Sequence, residues 1–287
     1  MSRRYVTVDV FTDQPFGGNP LAVVLDAAGL DSAGMQAIAR EFNYSETTFV
    51  LPPQDAAHTA QVRIFTPGNE LPFAGHPNVG TAYVLANEGV PGERLVFEEA
   101  AGLVPVEIWR EAGMVRGAEL TAPQGLQITG QMPAGDVAEC LALHTDEIVG
   151  QPVVASVGVV FVLAEIVSRD ALRRARCNAA AFARCFTATH PNSIYFYTHD
   201  GGGGFDIHAR MFSPLDGMGE DPATGSASVT VAAMLAEDGN GALRIEQGRD
   251  MGRPSTLLTR TVKPGGVLRS AHVGGHCVTM MRGTIER

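Results

Sequence analysis

Apolar and polar residues alternate with a period of two from the start of the chain. Residues 4–10 (Arg-Tyr-Val-Thr-Val-Asp-Val) read as a strand, residues 16–20 (Phe-Gly-Gly-Asn-Pro) as a turn and residues 21–25 as a second strand. The period lengthens over residues 31–42. There Ala33, Met35, Ile38 and Ala39 share one face of a helix opened by Asp31 and Ser32 and capped by Asn43. Residues 44–50 and 61–65 return to strand, and 94–98, 103–109 and 114–119 form a meander closed by Gly102 and Gly113. The order then repeats: a strand at 158–165, a helix at about 170–186, strands at 193–198 and 206–212, and further strands to the end. Two stretches, 79–86 and 227–235, are apolar on every side and built of small residues. A helix without a polar face is a buried one. Strands grouped around such a helix predict an α+β fold in which a curled, mostly antiparallel sheet encloses it.

The two buried helices are introduced by the same words. Gly75-His76-Pro77-Asn78-Val79-Gly80-Thr81-Ala82 matches Glu220-Asp221-Pro222-Ala223-Thr224-Gly225-Ser226-Ala227 at Pro, Gly and Ala, with Thr81 replaced by Ser226. Upstream, Arg63-Ile64-Phe65-Thr66-Pro67 is echoed by Arg210-Met211-Phe212-Ser213-Pro214, an offset of 147 residues. Two pseudo-symmetric halves follow from this repeat. We expect residues 1–120 to form the first and 121–287 the second, each with one central helix, the last strand or strands returning to the first half. The Pro- and Gly-rich residues 121–135 would be the connection. Each half places one polar residue, His76 or Asp221, where a helix starts. Asp before Pro is the pattern of an N-cap followed by a first helical residue that needs no N–H, so the second helix is expected to run from Pro222. Gly80 and Gly225 fall about one turn in, where glycine costs ~1 kcal/mol relative to alanine. A ligand approaching the backbone would account for them, and a helix N-terminus with free N–H groups suits an anion such as a carboxylate.

Composition narrows the possibilities. A chain of 287 residues with 45% hydrophobic and 18% charged residues builds a sizeable core. Lys and Arg number 21 against 31 Asp and Glu, for a net charge of -10, and no basic run is interleaved with aromatics, so nucleic acid and anionic membranes are not expected partners. The apolar run 153–164 is broken by Ser156 and Gly158 and is too short to span a bilayer, and residues 4–10 lack a signal-peptide core, so a cytoplasmic protein is expected. Cys140, Cys177, Cys185 and Cys277 have no metal-ligand spacing and read as buried reduced thiols. Gly201-Gly202-Gly203-Gly204 lacks the Gly-Lys-Ser/Thr of a phosphate loop and reads as a hairpin tip; His272 and His276 fall in a strand-like segment without a metal role. From position alone, Glu46 beside Thr-Thr-Phe-Val reads as solvent-facing.

Taken together and in this order, Asn43-Tyr44-Ser45-Glu46-Thr47-Thr48-Phe49, Ala74-Gly75-His76-Pro77, Glu220-Asp221-Pro222-Ala223-Thr224-Gly225-Ser226-Ala227 and Gly252-Arg253-Pro254-Ser255 resemble the PhzF-type phenazine-biosynthesis family over essentially the full chain. The resemblance implies the fold of diaminopimelate epimerase, with an active site in the cleft between the halves, and a homodimer. It implies an isomerase that moves a proton on a small carboxylate-bearing substrate such as trans-2,3-dihydro-3-hydroxyanthranilate, with no cofactor and no metal. Glu46 would carry the proton, reversing the solvent-facing reading, while His76 and Asp221 would assist. Ser45, Gly75, Gly225 and Ser226 would bind substrate. A carboxylate closed off from water has the raised pKa that a base working near neutrality needs. Epimerases of this fold use a thiol from each half, and neither motif here holds a cysteine, which disfavours a two-thiol racemase. The alternatives are an amino-acid or hydroxy-acid epimerase or lyase of the same fold, or a non-catalytic small-molecule-binding member.

Overall fold

The computed structural model describes residues 2–186, 191–200 and 202–286. In chain order the elements are β1 (Arg3–Val10), β2 (Asn19–Val24), α1 (Ser32–Phe42), β3 (Glu46–Leu51), β4 (Ala60–Phe65), β5 (Glu70–Leu71), α2 (Gly75–Asn87), β6 (Arg94–Glu99), β7 (Gly102–Glu111) and β8 (Met114–Thr121). There follow β9 (Gln127–Gln131), α3 (Ala134–Leu141), β10 (Ile148–Ser156), β11 (Val160–Ile166), α4 (Arg169–Arg174), α5 (Ala179–Cys185), β12 (Ile194–Thr198), β13 (Ile207–Phe212), α6 (Gly225–Leu235), β14 (Gly239–Gln247), β15 (Ser255–Lys263) and β16 (Ser270–Ile285). The chain divides into two compact units, Met1–Thr121 with Gly274–Arg287, and Ala122–Val273.

In the first unit, eight strands run in the order β1-β2-β3-β4-β6-β7-β8-β16, and β16 pairs back onto β1, closing a barrel. Closure leaves no free edge. Inside lies α2, against β1, β2, β3, β7 and β8. Every residue from Gly75 to Ala86 is buried, as a helix with no polar face requires. Gly80 is needed for the fit, since a Cβ there would lie 2.6 Å from Leu21 Cδ2 and 2.7 Å from Val10 Cγ2. The barrel wall, not a ligand, is therefore what approaches this glycine. Outside the barrel, α1 is capped as its sequence predicts: the Asp31 side chain accepts from the Gly34 N–H, and Asn43 closes the helix in the left-handed region.

The second unit repeats the succession of pairings. The pairs β2–β3 and β4–β6 are parallel, each joined through a helix, and so are β11–β12 and β13–β14; the other described pairings are antiparallel. Strand order is β15-β14-β13-β12-β11-β10-β9. α6 touches β14 and β15 near one end of that order and β10 near the other, so the sheet curls around the helix. A core of α3 and α5 side chains, including Val137, Leu141 and Phe182, covers the other face.

Several expectations are corrected here. The helix expected over 170–186 is two: Ala175 turns extended, and Asn178 caps α5 by accepting from the Ala181 N–H. Residues 121–135 are not simply a connection, because β9 lies within them, and α3 and β10 were not anticipated. Gly158 is in a turn, with φ +142° and Pro123 against it, and β11 starts at Val160. All four cysteines are free thiols, but only Cys140 and Cys277 are buried; Cys177 and Cys185 are half-buried. Gly201 lies outside the described residues, and Gly203 and Gly204 turn with positive φ between the antiparallel strands β12 and β13. No helix among the described residues is long and apolar enough to cross a membrane.

Candidate active site

In the first unit the sequence-predicted residues gather where β3 begins and α2 begins. Parallel pairing of β2 with β3 sets Glu46 beside Leu21. This brings Ser45 to Asn19, whose Oδ1 accepts from the Ser45 hydroxyl at 2.9 Å. Glu46 is the first residue of its strand and turns inward: its side chain is 12% exposed and Oε2 lies 3.4 Å from His76 Nδ1. The solvent-facing reading of Glu46 is thus overturned, because what covers the carboxylate comes from α2, far away in sequence.

His76 is 4% exposed, and its Nε2 meets no protein hydrogen-bond partner. Burial pushes its pKa down from the ordinary 6.5 to about 3, with the backbone of Pro20 opposing. The imidazole is therefore neutral at physiological pH. Ala74 offers α2 no side-chain cap. With Pro77 lacking an N–H, the Ala74, Gly75 and His76 N–H groups are the ones left without an intrahelical acceptor.

The second motif folds differently from the first. Asp221 is not the N-cap, and Pro222 is not a helical residue: Thr224 stands at the cap and α6 starts at Gly225. Asp221 is 5% exposed, and its Oδ2 accepts from the Thr224 hydroxyl at 2.6 Å. The last residue of β14 explains why the turn forms without a cap. Gln247 donates to the Asp221 carbonyl at 2.8 Å and to Thr224 Oγ1 at 3.0 Å, and accepts from the Thr224 N–H at 3.0 Å. Ser255 Oγ adds a bond to the Pro222 carbonyl at 2.9 Å. Gly225 is buried at the first helical position, whereas Ser226 beside it is half-exposed. Gln247 escaped the sequence reading, because nothing local to β14 distinguishes it from any strand glutamine.

The repeat also shows where the halves differ. Thr47 pairs with Phe65, and Ile194 pairs with Phe212, the matching phenylalanines of the repeat. Glu46 therefore corresponds to Ser193, so the carboxylate exists in one half only. Among the described residues, no three His, Cys, Asp or Glu side chains gather as a metal site. His272 bonds Ser270, and His276 packs edge-on to Trp109. A cavity of about 560 Å³ in the first unit is lined by residues of β4 to β7 and not by Glu46 or His76.

A family model described as phenazine biosynthesis-like protein, PhzC-PhzF, matches residues 8–283. The chain is 39% identical to an uncharacterized isomerase of Mesorhizobium japonicum over 99% of both chains. It is 38% identical to the trans-2,3-dihydro-3-hydroxyanthranilate isomerase of Pseudomonas fluorescens over 98% of both. Its fold superimposes on a PhzF-family crystal structure from Bacillus anthracis with a TM-score of 0.89, at 26% identity and complete coverage of both chains. Matched from end to end by sequence and by fold, the chain belongs to the PhzC-PhzF, phenazine biosynthesis-like family and is a PhzF-type isomerase.

Proposed function

We propose that this isomerase moves a proton between carbons of a small carboxylate-bearing substrate, of the kind exemplified by trans-2,3-dihydro-3-hydroxyanthranilate, without a cofactor. Glu46 carries the proton. Its carboxylate removes the hydrogen from C3; the C–H pair is left in the conjugated system of the ring and an O–H forms on Glu46. The same O–H then delivers the proton to another ring carbon, restoring the carboxylate. His76, neutral, stands with Nδ1 3.4 Å from Glu46 Oε2, bonds the backbone of Pro20 and leaves Nε2 for the substrate. The Gly75 N–H at the positive end of α2 receives the substrate carboxylate. Ser45, Asp221, Gly225 and Ser226 are assigned to substrate binding and alignment, Asp221 with a catalytic share. A homodimer in the cytoplasm completes the reading and rests on family resemblance.

The observation that carries this reading is a nearly enclosed carboxylate beside a neutral histidine at the start of a fully buried helix. Solvent deuterium incorporation into trans-2,3-dihydro-3-hydroxyanthranilate tests it. Glu46→Gln is expected to lower the rate by ~10²–10⁴-fold while ligand affinity changes little. An unchanged exchange rate removes Glu46 from its role.

A further inference from the structure

Asn78 is fully buried on the first turn of α2, where Nδ2 donates to the Ala74 carbonyl at 2.9 Å and Oδ1 has no protein partner. Its amide faces Glu99, the last residue of β6, whose two carboxyl oxygens are both shut off from solvent and both without a closed hydrogen bond. An ionised carboxyl accepts only, and would add two bare oxygens to the one on Asn78. A neutral carboxyl brings a donor of its own and so leaves fewer bare acceptors beside Asn78. We propose that Glu99 is a positioning residue: as a neutral acid it holds Asn78, and with it the turn on which His76 and the Gly75 N–H stand.

The second half does the same job with different residues. Ala223 occupies the position of Asn78, and the turn before α6 is held by Gln247, the last residue of β14. β14 is the counterpart of β6, each lying parallel to the strand before the central helix. Both halves therefore send the end of the same strand to the start of the central helix, with an amide in one and a carboxyl in the other. A permanent amide needs no proton, whereas Glu99 does.

Among the described residues, the charged groups around Glu99 offer it no counter-ion. Glu98 is occupied by His58 and by the backbone N–H groups of Gln54 and Asp55, Arg63 is held by Glu70, and Asp55 accepts from the Ala57 N–H. Burial accordingly pushes the Glu99 carboxyl up from 4.5 to about 8, with the Asn78 amide opposing. Unfolded chain releases this proton near 4.5 and folded chain near 8, so relative to a variant without the group, stability falls as pH rises between the two. The slope is tenfold in the folding constant per pH unit, or ~1.4 kcal/mol.

The inference takes the start of α2 as the site, so its test includes arms that need no substrate. Carboxyl infrared absorption of the intact protein is expected to show one neutral acid that disappears as pH passes about 8, and Glu99→Gln is expected to remove it. In the wild type the His76 ring resonances shift over the same interval, and in Glu99→Gln they stay fixed. Urea unfolding of the two proteins is expected to show the wild type losing stability relative to Glu99→Gln by the stated slope from pH 5 to pH 8. A wild-type His76 signal that does not move, or no neutral acid at pH 7, overturns the proposal even if Glu99→Gln does not fold. With trans-2,3-dihydro-3-hydroxyanthranilate, the wild type loses activity above pH 8 mainly through KM and Glu99→Gln does not. A protein inactive on that compound but showing the infrared and His76 changes would sink the substrate assignment and keep this one.

Discussion

His76 is surrounded by the barrel interior, and its pKa falls from 6.5 to about 3. Unfolded chain binds a proton at His76 below about 6.5 and folded chain does not, so this residue's contribution to stability is complete above 6.5 and is lost as pH falls towards 3. His76→Gln removes that dependence. Urea unfolding from pH 7 to pH 4 should show the wild type losing up to ~1.4 kcal/mol per pH unit relative to the variant; parallel curves would mean the imidazole is solvated. Glu46 belongs to the same scale. Its identity as a candidate was legible only from the family motif, because exposure of a strand's first residue depends on what packs over it, and the cover is supplied by α2.

At the scale of elements, the two central helices start by different means although their motifs share words. α2 begins at Gly75 before its proline, and α6 begins at Gly225 three residues after its own. What compensates in the second case is the Gln247 clamp. Gln247→Ala breaks three hydrogen bonds around a buried turn and is expected to cost ~2–4 kcal/mol, read by chemical denaturation, with a rise in KM. Asp221→Asn keeps an acceptor for the Thr224 hydroxyl and does not disturb a cap, since Asp221 is not one. Stability within ~1 kcal/mol of wild type together with a large loss of turnover is the expected pairing; full turnover would confine Asp221 to a structural role. Local sequence showed that both motifs precede buried helices, but not where each helix begins, because Pro and Asp fit several positions of a helix start and the choice fell to side chains from β14 and β15.

For the molecule as a whole, the last strand decides whether the first unit is a barrel or an open sheet. β16 pairs with β1 and follows β8 in the strand order. The two glycines at this seam leave room for it: a Cβ at Gly117 would meet the Gly275 carbonyl at 2.1 Å, and one at Gly274 the Ala118 carbonyl at 2.6 Å. Removing Gly274–Arg287 would expose two strand edges, those of β1 and β8, and open the barrel. Trp109, the single tryptophan, packs on His276 in this unit and reports the outcome. The truncated chain is expected to show red-shifted emission without a cooperative thermal transition, whereas a native-like transition would place the closure elsewhere.

The sequence by itself determined the two apolar helices, the repeat that relates them and the strands between them, because period and composition are properties of the chain that no partner has to supply. It did not contain the break between α4 and α5, the strands β9 and β10, or the residues that anchor each helix start. Those depend on which groups arrive from distant strands and on how much water they exclude. Tertiary structure alone decided that Glu46 faces inward, that His76 stays neutral, and that Glu99 and Gln247 end matching strands against the two central helices, since burial and charge state exist only once the barrel and the sheet have closed around them.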